Sequence, residues 1–130
     1  MIKRKGRAVE ITVKEKNKEK LLEKSAIELM DYLIDLKKTH STSDFEIELK
    51  SRNFQILALD WLQEILDIVN INGIALNKFK VKLTREDNDY KLRAKVSGEP
   101  LKEIHKIKHD SVMILPRIEY EEESLKFLLE

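Results

Sequence analysis

The chain has 130 residues, of which 42% are hydrophobic, 6% aromatic and 38% charged, with a formal net charge of +1. That length carries one domain, residues 1–130, because either half alone would bury too little core. The balanced charge argues against a dedicated nucleic-acid binder, and the absence of Cys excludes a disulfide framework, a thiolate metal site and a thiol nucleophile.

With so few aromatics the core is expected to be Leu, Ile and Val. The Lys- and Glu-rich remainder fits the ion-pair surface of thermophile proteins. Met1-Ile2-Lys3-Arg4-Lys5-Gly6 is basic but leads into no apolar run, so it does not read as a secretory signal. No apolar stretch approaches the roughly 18 residues of a membrane span, and a cytoplasmic location without a membrane partner is the expectation.

In chain order, Ala8, Val9, Ile11 and Val13 form a short β-prone stretch. A helix is expected from about Lys16 to Lys38, since Leu22, Ala26, Leu29, Leu33 and Leu36 recur at helical spacing. Residues 39–43 read as a loop, after which Phe45, Ile47 and Leu49 alternate with charged residues as in a half-buried strand. Ser51 or Asn53 can cap a second helix. Its apolar face is Phe54, Leu57, Ala58, Trp61, Leu62, Ile65 and Val69, and Gly73 ends it. Phe79, Val81 and Leu83, then Tyr90, Leu92, Ala94 and Val96, form a hairpin turning through residues 85–89. Gly98-Glu99-Pro100 is expected to break the return strand, and residues 101–110 to form a loop. Residues 112–120 and 125–129 read as a last strand pair around Glu121-Glu122-Glu123. The order β-α-β-α-β-β-β-β predicts an α+β fold, two helices packed on a mixed β-sheet.

Catalytic constellations are not legible. There is no G-x-S-x-G elbow, and three glycines leave no phosphate-cradling loop. His105 and His109 lie four apart, a spacing that holds zinc on a helix. They follow Pro100 in the expected loop, so His40, His105 and His109 read as solvent-exposed. Lys14, Lys16, Lys18 and Lys20 interleave with Glu15, Glu19 and Glu23, which is a solvated face rather than a phosphate track. Trp61 reads as a core anchor. Asp60 and Glu64, one turn apart and opposite the apolar stripe, are the candidate partner-binding residues.

Three segments in order resemble the archease family. Leu57-Ala58-Leu59-Asp60-Trp61-Leu62-Gln63-Glu64-Ile65-Leu66, with Gly73, Leu76 and Phe79 after it, is similar to the family's Leu-Leu-x-x-Trp-Leu-x-Glu-Leu-Leu helix. Leu92 to Pro100, with its Gly98-Glu99 and the downstream His105, looks like the family strand that ends in Gly-Glu. Leu21 to Ala26, with Leu29-Met30-Asp31, is similar to its first helix.

The resemblance implies an accessory protein, not an enzyme, whose partner is the tRNA-splicing RNA ligase and which promotes that ligase's guanylylation and turnover. RNA contact would be indirect or weak. It also implies a divalent cation, calcium or magnesium, held by an Asp of an amino-terminal His-Thr-Ala-Asp motif and an Asp near the carboxyl end. A Lys from a late Lys-Ala-x-Thr-Tyr-His strand accompanies them. Counted without gaps, the first motif falls on Lys5-Gly6-Arg7-Ala8, so Ala8 stands at the ligand position. The late Lys falls on Val112, and Thr-Tyr-His on Leu115-Pro116-Arg117. Glu130 matches the terminal Asp, and Glu10 is the candidate replacement for the other; these two are the expected metal residues. The alternative expectation is an interaction or RNA-binding module on the same fold that has lost the ligase-activating site. It would use Lys3, Arg4, Lys5 and Lys18.

Overall fold

The structure, a computed structural model, describes residues 2–35, 39–102, 105, 107–109 and 112–130, with the backbone alone of Lys5. Its elements are β1 (Ile2–Lys5), β2 (Ala8–Lys14), α1 (Lys18–Leu33), β3 (Ser43–Ser51), α2 (Phe54–Asn72), β4 (Ile74–Glu86), β5 (Asp89–Pro100), β6 (Ile114–Glu121) and β7 (Ser124–Leu129). The α+β class, the two helices and the order from β2 onward are as expected. Strand β1 is additional; it folds back on β2 through a turn with Gly6 at φ 61°. Its Ile-Lys-Arg-Lys run holds one apolar residue, so no alternation announces it. The β layer expected as one mixed sheet is realised as two, ordered β1-β2-β7-β6 and β3-β5-β4. Every pairing within them is antiparallel. Tight hairpins join β1 to β2, β4 to β5 and β6 to β7, and such links cannot make parallel neighbours.

Caps set the helix limits. The Asn17 side chain accepts the Lys20 N–H at 3.0 Å and starts α1. The helix stops at Leu33, before the tail expected from sequence, because Ile34 turns extended and bridges to Ile107. Leu36 and Lys38, assigned from sequence to this helix, lie outside the described residues. Asn53, not Ser51, caps α2, accepting the Ile56 N–H at 3.1 Å. Gly73, left-handed at φ 66°, closes α2 by donating its N–H to the Val69 carbonyl at 3.1 Å.

The helices lock together at Trp61. Its side chain is fully buried, and Nε1 donates to the Leu22 carbonyl of α1 at 2.9 Å. Phe79 meets the indole edge-to-face, with ring centroids 6.4 Å apart. Burying roughly 200 Å² of indole stabilises the fold by about 5 kcal/mol at 25 cal/mol/Å², and the hydrogen bond removes the cost of hiding its polar end.

Helix α1 also closes a sheet edge. β4 is an outer strand of the three-stranded sheet, with unpaired N–H groups along one side. Glu23 accepts the Val81 N–H at 2.8 Å, and Glu19, one turn earlier, accepts the Leu83 N–H at 2.7 Å. The helical period of four residues thus matches the two-residue period of the strand, and two carboxylates stand in for a neighbouring strand.

Strand β5 does not break at Gly98-Glu99-Pro100; it stays paired to β4 as far as Pro100 opposite Ile74. Gly98 serves close approach instead. A Cβ there would lie 2.0 Å from the Ala75 carbonyl oxygen, beside the irregularity between Leu76 and Lys78. The β4–β5 turn is tighter than the sequence pattern implies, with Glu86 already opposite Asp89 and Asp87 at φ 56°. Edge strand β6 shifts register between Ile114 and Ile118, and Pro116 sits in that shift, where no ladder N–H is needed. Glu122 and Glu123 turn β6 into β7 at φ 50° and 63°, a conformation non-glycine residues adopt at a cost.

Candidate functional site

Strands β2 and β7 carry the residues expected to hold a cation. Val9, Ile11 and Val13 face the core, so Glu10, Thr12 and Lys14 face outward. Glu10 is half-buried, directly opposite Lys3 on β1 and Leu128 on β7. Glu130 is exposed, and its backbone exchanges hydrogen bonds with Met113 at 2.9 Å each way. The Val9–Leu129 pairing, continued one step, sets Glu130 beside Ala8. The fold therefore brings Glu10 and Glu130 to one face, diagonal to each other. A shallow recess of about 430 Å³ opens beside Glu10, where Lys3, Lys14 and Lys126 alternate with Glu10, Glu119, Glu121 and Glu122.

A second polar site was not legible in the sequence. His105, expected in solvent, is buried at 2% exposure, and Glu99 at 1%. The two approach at 2.9 Å, Nε2 to Oε1, with a bend too great for a well-formed hydrogen bond. Nδ1 of His105 accepts the Lys102 N–H at 3.0 Å, which fixes the proton on Nε2, toward Glu99. Burial pushes the Glu99 carboxyl up. The His40 backbone N–H, the Lys102 ammonium at 3.6 Å and His105 more than offset it, and the carboxyl is held below its ordinary range. The pair ties the segment after β5 to the body of the fold. The other two histidines are exposed as expected, and His109 stacks on Tyr32 with centroids 4.0 Å apart.

Asp60 and Glu64 lie exposed on α2, on the side away from the core. That helix contains no Lys or Arg, and its outer side also carries Asp67, Ile56 at 52% exposure and Ile71 at 77%. The lysines offered for RNA contact are not gathered. Lys3 points to the outer face of its sheet beside Glu10, whereas Arg4 alternates to the other face. The Lys18 ammonium lies over the Phe54 and Tyr120 rings at 5.8 and 5.7 Å.

The profile of the archease protein family (MTH1598/TM1083) matches residues 9–112. The chain belongs to the archease family. A protein archease of Methanosarcina barkeri is 34% identical over 65% of this chain and 58% of its own length. One of Pyrococcus abyssi is 32% identical over 64% and 58%. The match thus spans less than two thirds of these relatives. The solution structure of protein 1598 of Methanobacterium thermoautotrophicum has the same fold, with a TM-score of 0.83 at 22% identity over 98% of this chain and 94% of that one.

The family match covers both helices and the three-stranded sheet but stops before β6 and β7. Glu130 and Ala8 lie outside it. The residues present do not fit a hard divalent cation, which needs six to eight oxygen ligands, several of them anionic. Lys3 stands directly opposite Glu10, and among the described residues no three His, Asp or Glu side chains converge as a metal site.

Proposed function

We propose that this chain is an archease-type accessory protein, assisting a tRNA-splicing RNA ligase in the cytoplasm by protein contact rather than by chemistry of its own. Family membership over residues 9–112 supports the class of function. The observation that carries the mode of action is the outer face of α2. Ile56 and Ile71 flank Asp60, Glu64 and Asp67, and no basic residue dilutes them. On a chain with 25 Lys and Arg, nineteen helical residues without one form a docking face for a basic, partly apolar partner surface. The contact acts by stabilising a productive conformation of the ligase, and no step runs through a cation.

The test is multiple-turnover ligation by the cognate ligase with and without the chain, alongside a pull-down. Acceleration and co-purification are expected, and D60K/E64K loses both while its melting temperature is unchanged. Absence of binding together with an unchanged ligation rate refutes the reading. It would favour the alternative, an interaction module that has left the ligase, which draws its support from the poor cation donor set at Glu10 and Glu130.

A further inference from the structure

The solvent face of the three-stranded sheet has an unusual charge order. β3 presents Asp44, Glu46 and Glu48, central β5 presents Lys91, Arg93 and Lys95, and edge strand β4 presents Lys78, Lys80 and Lys82. The register sets Lys80 directly opposite Lys95, and Lys82 directly opposite Arg93. Like charges facing each other across a ladder are destabilising. The acids of β3 relieve only the central row, with Glu48 on Arg93 at 3.1 Å and Asp44 on Lys95 at 3.3 Å. Lys80 and Lys82 are exposed and have no ion-pair partner among the described residues. Two shallow recesses, of about 520 and 720 Å³, run along this row and share Lys80 and Lys95; Glu46, Glu48 and Asp44 of β3 and Glu19 and Glu23 of α1 line their margins.

We infer that the β4 lysine row is a docking track for the phosphodiester backbone of single-stranded RNA. The ammonium groups repeat every second residue, about 6.8 Å apart along an extended strand, a spacing suited to a regular, extended polyanion. A peptide strand cannot add at this edge, because Glu23 and Glu19 already occupy the Val81 and Leu83 N–H groups. Any ligand must therefore lie across the face and meet side chains. No aromatic residue stands on that face, so contact is electrostatic, independent of sequence and sensitive to salt. The acidic row of β3 bounds the track on one side, and Glu19 and Glu23, turned to the β4 edge, bound it on the other, which confines a polyanion to the lysine rows between them. The choice of RNA over DNA rests on the ligase reading; the anion track itself does not.

The experiment is fluorescence anisotropy of a short labelled oligouridylate with the chain alone, between about 50 and 200 mM salt. Wild type is expected to bind with an affinity that falls as salt rises. K80Q/K82Q weakens binding at low salt at least fivefold and flattens the slope of log affinity against log salt by about 1.4, the contribution of two phosphate contacts on a single strand. K80R/K82R retains binding, and circular dichroism shows both variants folded. No binding by wild type, unchanged affinity and slope in K80Q/K82Q, or equal displacement by a poly-glutamate peptide overturns the inference. No ligase is present, so failure here leaves the ligase reading standing, and failure of ligase activation leaves this track to be judged on its own binding data.

Discussion

Replacing Glu19 and Glu23 together by alanine is expected to loosen the clamp that α1 makes on β4. Each carboxylate accepts one strand N–H, at 2.7 and 2.8 Å. Hydrogen bonds to charged groups contribute about 1.5–3 kcal/mol. Both sites are half-buried, so water reaches the released N–H groups and the lower part of that range applies. The pair of bonds then contributes about 3–4 kcal/mol, less a few tenths returned by alanine's higher helix propensity. For a chain of this size that corresponds to a drop in Tm of roughly 9–14 °C. Urea denaturation followed by far-ultraviolet circular dichroism measures the difference directly. E19Q/E23Q keeps neutral acceptors in place and should lose about half as much, because charge-assisted bonds are roughly twice as strong. The alanine pair also exposes the edge strand, so it should scatter more light on prolonged warming. A loss below about 0.5 kcal/mol, or equal damage from the glutamine and alanine pairs, would refute the clamp.

Two further substitutions probe other features. Because the Glu99 carboxyl is held below its ordinary range, its contribution is complete above the pKa of an unfolded Glu and disappears as pH falls through the folded value. E99Q should therefore lose stability less steeply than wild type below about pH 4, as followed by thermal melts across acid buffers; parallel acid limbs would contradict this. Glu123 sits at φ 63°, so E123G should gain about 0.5–1 kcal/mol in urea denaturation, provided its carbonyl keeps the Glu15 N–H bond at 3.0 Å; a loss of stability would show that the turn is not strained.

Local signals in the chain proved legible where one element decides its own residues. The stripe from Phe54 to Val69 and the closing Gly73 predict α2, and all seven apolar positions of that stripe are buried. The anchoring role of Trp61 follows from the same periodicity, although its hydrogen bond to Leu22 does not. What sequence could not show depends on elements meeting from afar. Gly98 reads as a strand breaker until β4 backbone is seen against it. His105 sits in a polar stretch, and only the fold turns it inward onto Glu99. The one available hint was the Gly-Glu followed by His in the resemblance. Glu19 and Glu23 looked like solvated charges because their partners are backbone groups some sixty residues away. Glu10 and Glu130 do share a face, through a β2–β7 register that no local pattern announces. Lys3 opposite Glu10 was hidden with the unannounced strand β1.

The pairing of β2 with β7 joins Val9 to Leu129, almost the full length of the chain. During synthesis β2 leaves the ribosome well before its partner and waits until β7 emerges. The helices and the β3-β5-β4 sheet need no part of β6 or β7 for their own strand pairing, and they can assemble while β2 is still an open edge. Closing a loop of that length comes late and is slow. In the interval β1 covers only the edge of β2 that faces away from β7, and the edge that will receive β7 stays open. The docking of β7 on β2 is also the step that sets Glu130 beside Ala8. A chain halted before β7 would keep its family core and lack its carboxyl-terminal face.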